Sequence, residues 1–347
     1  MKRIKLVPKS IGLIAFLVVL SWTNGAAQQI RHERKITENF TTNASSTFAI
    51  YNKYGKVHIN THSGKEINVV VTVVGKGSTA EQAKNIAEGF PVNISRGNNI
   101  IFKSDEKPNF VMTPIGKDLK VNLKKSDYEI NYEVNLPHTV PLILYHSFGE
   151  AYLGAYTGSL TIQMSYGPLK TDKLTGNDFK NIEVKFGSAD IAYVERGKLA
   201  VSYSNLNLAG AGDIEFQGKN GSFDLGAIGN IRGAVSYSSF EIASLSKSLE
   251  IESRYNSNVK VENISADFSK IALESSYNGA DLNFSPGDSF DFDVNTSFGS
   301  FNFDRNQCKL SKEIKGNTSA SYSGKCGGGS ATSKVSIDAR YGDVTFR

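Results

Sequence analysis

The feature that most restricts what this chain can fold into is an aromatic residue followed by a small one, recurring about every twenty residues with apolar residues at fixed offsets. In residues 160–171, LTIQMSYGPLKT, Ile162 precedes Tyr166 by four, Gly167 follows it, and Leu169 and Thr171 come three and five later. Strand side chains alternate faces with period two, so Tyr166 and Leu169 belong to opposite sides of a straight strand. A two-residue corner returns both arms to one side. Gly167 is the expected corner residue because it takes φ > 0 without a Cβ clash, and Tyr166, in phase with Ile162, is expected in the core.

The same spelling fits Phe148 (Leu144; Ala151, Leu153), Phe186 (Ile182, Val184; Ala189, Ile191), Tyr203 (Leu199, Val201; Leu206, Leu208) and Tyr237 (Val235; Phe240, Ile242). It returns at Tyr277 (Ile271, Leu273; Leu282), Phe298 (Val294; Phe301, Phe303) and Tyr341 (Ile337; Val344, Phe346), and at Tyr255, where Val259 and Val261 arrive one residue late. Tyr54, with Val57 and Ile59 after it, frames the N-terminal side. Gly149, Gly167, Gly187, Gly299 or Gly342 follows the aromatic, with Asn256, Asn278, Ser204 and Ser238 as substitutes that tolerate a left-handed backbone less well than glycine. Residues 203 and 237 stand about two units apart, with Phe223 and Leu225 between them as a degenerate copy. A period near twenty is that of stacked repeats, each burying its apolar face against its neighbours.

At 347 residues the chain can bury a sizeable core. Lys2, Arg3, Lys5 and Lys9 precede an apolar run from Ile11 to about Trp22, and Gly25-Ala26-Ala27 supplies small residues for cleavage, so residues 1–27 read as a signal peptide. The run is too short to span a bilayer, which takes roughly twenty residues. Without those four cations the net charge of +5 falls to about +1, and no Lys/Arg patch with interleaved aromatics remains, which disfavours nucleic acid. In an exported chain the only two cysteines, Cys308 and Cys326, are most simply a disulfide. Free thiols or zinc are the alternatives, though no histidine lies near either cysteine.

From Gln28 to about Asn43 the sequence is polar and reads as a ragged start. Residues 67–74 form an apolar run typical of a buried strand. Ser78-Thr79-Ala80-Glu81 spells a capping box that opens a short helix over residues 79–88. Residues 92–95 and 100–102 flank Gly97-Asn98-Asn99 as a hairpin. The charged stretch 104–125, with Pro108 and Pro114, reads as a mobile loop or lid. Ile130, Tyr132, Val134 and Leu136 then alternate as a strand up to Pro137, and residues 309–334 form a Ser/Gly/Lys-rich excursion bracketed by the cysteines.

The exported start, the Asn52-Lys53-Tyr54-Gly55-Lys56-Val57-His58-Ile59 motif, the Tyr132-Glu133-Val134-Asn135-Leu136-Pro137 strand and the iterated aromatic-Gly bends resemble the putative adhesin family of Gram-negative bacteria. The resemblance runs from about Phe48 to Phe346. It implies a right-handed β-helix and an adhesin-like role, and no catalytic residues. The cysteine-bracketed insertion and the imperfect unit at Phe223 depart from the pattern.

Enzymatic and ligand-binding motifs are weak. Gly75-Lys76-Gly77-Ser78-Thr79-Ala80 matches a dinucleotide-binding turn, but no βαβ series follows. His58 and His62 would lie about 13 Å apart on one strand, too far for one ion, and no G-x-S-x-G element occurs. Asp291 and Asp293, roughly 7 Å apart on one strand face, are the best candidate acids. Glu250 and Glu252 repeat their pattern, as a solvated exterior face would.

The expected fold is all-β: a right-handed β-helix or β-solenoid of about 17–22 residues per coil over residues 142–347, after a β-rich cap over 28–141. A hairpin-based sheet or an outer-membrane barrel could use the same letters. The expected function is a non-enzymatic exported protein, at the cell surface or in the periplasm, that presents an extended β-surface to a glycan or protein ligand or to itself. No cofactor, metal or nucleic acid is expected. The rival is a glycan-active β-helix enzyme, a hydrolase or lyase using surface carboxylates.

Overall fold

The computed structural model describes residues 29–106, 111–112, 118–119, 124, 127–285, 287–331 and 333–347. The expected signal peptide and most of the expected lid lie outside the described residues. The N-terminal part comprises β1 (Ile30–Thr41), β2 (Thr47–His62), β3 (Glu66–Gly77), α1 (Ala80–Gly89), β4 (Asn93–Ser95), β5 (Asn99–Ser104), β6 (Val111–Met112), β7 (Asp118–Leu119) and β8 (Tyr128–Pro137). Next come β9 (Leu142–Leu153), β10 (Leu160–Ser165), β11 (Pro168–Leu174), β12 (Lys180–Lys185), β13 (Ser188–Ser202), β14 (Asn205–Lys219), β15 (Ser222–Ser236), β16 (Ser239–Arg254) and β17 (Val259–Ile264). The last group is β18 (Lys270–Ser276), β19 (Ala280–Phe284), β20 (Phe290–Ser297), β21 (Phe301–Asn302), β22 (Cys308–Lys315), β23 (Ser319–Cys326), β24 (Ser333–Arg340) and β25 (Val344–Phe346). Among the described residues the fold is all-β with one helix.

Successive units pair in parallel and in register. Ile162 lies beside Leu144 on one side and Ile182 on the other, Ile182 beside Leu199, and Leu199 beside Phe216. Beyond each corner the second arms pair likewise, Ala151 with Leu169, Leu169 with Ala189 and Ala189 with Leu206. These aliphatic columns form the core, and every residue just named is buried.

The order of units in space departs from their order in sequence at both ends. β2 pairs in parallel with β9, Phe48 facing Leu142 and Ile59 facing Leu153, although about ninety residues separate them. β24 and β25 lie between β18–β19 and β20–β21, pairing in parallel with both. β20 then pairs antiparallel with β23, which pairs antiparallel with β22 across a Cys308–Cys326 disulfide.

The polar start is not ragged. β1 pairs with β3 along its whole length. Its half-buried Ile36 and Phe40 pack on the core, and Arg34 donates to the carbonyls of Glu88 and Phe90 at 2.8 and 2.6 Å. A charged edge strand held by the helix reads as a loop when only apolar residues are counted. The helix cap is shifted by one residue: Thr79 is the N-cap and accepts from the Gln82 N–H, while the Gln82 amide oxygen accepts from the Ser78 N–H and hydroxyl.

Candidate functional site

The repeat aromatics are where sequence and structure part. Tyr166, Phe186, Tyr203, Tyr237, Tyr255, Tyr277, Phe298 and Tyr341 are exposed, Phe148 is half-buried, and Tyr54 alone of the ten is buried. The strands before them end one residue short, at Ser165, Lys185, Ser202, Ser236, Arg254, Ser276, Ser297 and Arg340. Period-two alternation therefore stops before it can carry the ring inward.

The corner torsion also belongs to the aromatic and not to the glycine. Among the described residues the non-glycine positions with positive φ are the ten aromatics and Asn220, Tyr166 at 58° and Phe186 at 55° for example. Of the glycines that follow, only Gly55 has positive φ. Gly149, Gly167 and Gly187 are required for another reason. A Cβ on Gly149 would lie 1.6 Å from the Gly55 carbonyl oxygen, and one on Gly167 would lie 1.8 Å from that of Gly149. The glycine column lets successive backbones touch.

Where glycine is replaced, the side chain turns to the neighbouring backbone. The Ser204 hydroxyl donates to Ser202 O at 2.8 Å and accepts from Gly187 N at 3.0 Å. Asn256 Oδ1 accepts from Ser238 N at 2.8 Å.

Because each corner pairs with the next, the rings stack. Tyr54, Phe148, Tyr166, Phe186 and Tyr203 form one run with centroid spacings of 5.1, 4.6, 5.0 and 5.0 Å. Tyr237, Tyr255, Tyr277, Tyr341 and Phe298 form a second, at 5.1, 4.6, 4.8 and 4.8 Å. Tyr341 sits between Tyr277 and Phe298, as the interleaved last unit requires. Tyr128 closes the N-terminal end edge-on against Tyr54 and in turn meets Phe90. Burial, then the neighbouring Tyr54 and Asp127, pushes the Tyr128 hydroxyl up to about 12.

Asn220 stands between the two runs. Its backbone N–H donates to Ser236 O at 3.1 Å, as Tyr203 N does to Lys219 O at 2.9 Å, and its φ of 54° matches its neighbours. The unit with Phe223 and Leu225 is therefore complete apart from its ring. The Asn220-Gly221 pair was the available sign, since asparagine is among the residues most at ease in this torsion.

The other candidate sites disperse. β2 runs through both His58 and His62; the His58 ring lies tilted against Tyr152 with centroids 4.6 Å apart, and His62 Nδ1 accepts from Gly64 N at 2.9 Å. Among the described residues no three His, Cys, Asp or Glu side chains converge on a metal position. Asp293 is bonded to Ser323 and lies 3.2 Å from the Lys334 ammonium, and the two, in that order, hold its carboxyl below the usual range. Glu250 pairs with Lys270 at 2.7 Å, and Glu252 with Arg254. Gly75 and Gly77 pack on α1, where a Cβ at Gly75 would lie 2.1 Å from Ala83 O. Among the described residues no helix is long and apolar enough to cross a membrane.

No protein-family profile matches the chain, and no curated protein does. Four chains of solved structures resemble it, two of them as follows. A putative cell adhesion protein from Clostridium sporogenes ATCC 15579 is 10% identical over 91% of this chain and 99% of its own, with a TM-score of 0.24. A putative adhesin (BF0245) from Bacteroides fragilis NCTC 9343 is 9% identical over 90% of this chain and 97% of its own, with a TM-score of 0.29. At these scores neither resemblance assigns a family, a ligand or a compartment.

Proposed function

We propose that the chain is a right-handed β-solenoid, exported and non-enzymatic, that works as an adhesin-like binding scaffold through its exposed aromatic edge. Parallel in-register units support the solenoid reading, and the strong preference of parallel strand connections for a right-handed crossover supports its hand. The disulfide fits an oxidising compartment, as does the charged start followed by an apolar run.

One observation carries the binding reading. Ten aromatics occupy a torsion that disfavours them by about 1–2 kcal/mol each, at corners where Asn220 shows that a small polar residue serves. Backbone strain of this kind clusters at functional positions. Stacking, at about 0.5–1.5 kcal/mol per pair, offsets the strain but leaves ring edges and hydroxyls facing solvent. Tyrosine surfaces of that kind supply rigid amphipathic contact area. The paired state of Asp293 keeps it an anion, whereas a general acid needs a raised pKa, so this carboxylate gives a glycan-cleaving reading no support.

The test is binding of residues 28–347 to a glycan array and to whole cells, with the double variant Phe186→Ser, Tyr255→Ser beside it. Binding lost in a variant that keeps its circular dichroism spectrum is expected. Binding unchanged in the variant, or turnover of a polysaccharide by the wild-type chain, contradicts the proposal.

A further inference from the structure

We propose that the break in the aromatic stack at Asn220 is a saccharide-binding slot, in which one pyranose ring is held between the facing rings of Tyr203 and Tyr237. This deepens the binding reading above and rests on it.

The slot follows from the register. Tyr203, Asn220 and Tyr237 occupy the same corner in three consecutive units, shown by Ser202 beside Lys219 and Lys219 beside Ser236. Adjacent strands lie about 4.8 Å apart, so Tyr203 and Tyr237 stand about 9.6 Å apart, twice the interval at which rings stack elsewhere along the edge. One ring thickness is missing. Asparagine is shorter than tyrosine, so its amide ends near the floor while the outer halves of the two rings rise past it.

Exposure marks the same place independently. Tyr203 and Tyr237 are 53% and 55% exposed, and among the exposed ladder aromatics only Phe298, at the far end of the stack, exceeds them at 57%. Tyr166, Phe186, Tyr255, Tyr277 and Tyr341, each covered on both faces, lie between 47% and 51%. The two tyrosines each keep one ring face open, and the open faces look at each other.

Chemistry selects the occupant. An aromatic face carries partial negative charge, which suits the weakly positive C–H faces of a sugar ring. At the floor, the amide of the half-buried Asn220 offers two donors and an acceptor. Both walls end in a phenol hydroxyl, and Ser202, Lys219 and Ser236 border the slot as the residues just before each corner. A purely aromatic guest would leave this polar rim unmatched, whereas a pyranose presents hydroxyls around its edge to all of it.

The test titrates cellohexaose, chitohexaose, mannohexaose and hexagalacturonate into residues 28–347, read by calorimetry and by the side-chain NH₂ signals of 15N-labelled protein. At least one hexasaccharide is expected to bind and to shift the Asn220 side-chain signals. Asn220→Tyr, which completes the stack, is expected to weaken binding at least tenfold without lowering the melting temperature, and Tyr237→Ala to weaken it similarly. Failure of all four sugars to bind overturns the slot. So does binding that Asn220→Tyr leaves within twofold; if that binding is nonetheless lost in Phe186→Ser, Tyr255→Ser, the aromatic edge remains the contact surface and only the slot is refuted.

Discussion

At the scale of the residue, the corner assigns opposite duties to two neighbours: the aromatic holds the left-handed torsion, and the glycine after it makes room for the next backbone. Tyr166→Ala removes two stacking contacts and keeps the strained torsion, so it is expected to destabilise by about 1–2 kcal/mol in urea unfolding. Tyr166→Gly relieves the torsion and is expected to cost less than Tyr166→Ala, reversing the usual order of glycine and alanine. An equal or larger loss for glycine would place the strain elsewhere. Gly167→Ala should cost about 3 kcal/mol or more, since its Cβ would meet the Gly149 carbonyl at 1.8 Å. Gly328→Ala, with open space around it, should be close to neutral.

His146 gives the corner a pH dependence. It is buried, with Nε2 3.0 Å from Gly55 O and Nδ1 3.4 Å from Asn52 O. Burial, against those two hydrogen bonds, holds its imidazole below the ordinary 6.5. As the pH falls below 6.5 the unfolded chain takes up the proton first, so the contribution is fully present above that value and is lost as pH drops through the lowered one. Melting temperatures measured from about pH 7.5 to about pH 5 should fall more steeply in the wild type than in His146→Gln; parallel curves would remove His146 from the account.

At the scale of the element, the interleaved C-terminal segment is the least local feature of the fold. Ile337 lies in β24 with Leu273 beside it on one side and Val294 on the other, and Ile337→Ala is expected to cost about 2–5 kcal/mol. Ile314→Ala, on the exposed face of β22, should stay within about 0.5 kcal/mol of wild type. Similar losses for both would contradict the placement of β24 between two other units.

The offsets of the aliphatic residues and the change of parity were legible in the sequence, because strand periodicity reports burial directly. The direction of the aromatics was not, because counting from Ile162 to Tyr166 assumes a strand that in fact stops at Ser165. Spatial order was hidden for a different reason: β18 meets β24 through a repeat spelling that every unit shares. The β22–β23 hairpin was hidden by a Ser/Gly/Lys composition in which only the cysteines and Tyr322 are buried.

At the scale of the whole molecule, buried aliphatic columns fix the stacking of units, and along one edge they carry two runs of five rings separated by Asn220. Cross-unit ion pairs such as Lys198–Glu215 at 2.7 Å and Lys260–Glu241 at 2.6 Å decorate the exterior. Exposed pairs of this kind contribute little stability. What sets this exterior apart is therefore the row of tyrosine and phenylalanine edges. Nitration of the native protein by tetranitromethane, followed by peptide mass spectrometry, tests that row most directly. Tyr166, Tyr203, Tyr237, Tyr255 and Tyr277 are expected to react at rates near those of the unfolded chain, with the buried Tyr132 and Tyr156 protected. Protection of the five to the level of Tyr132 and Tyr156 would put the rings back in the core and contradict the account.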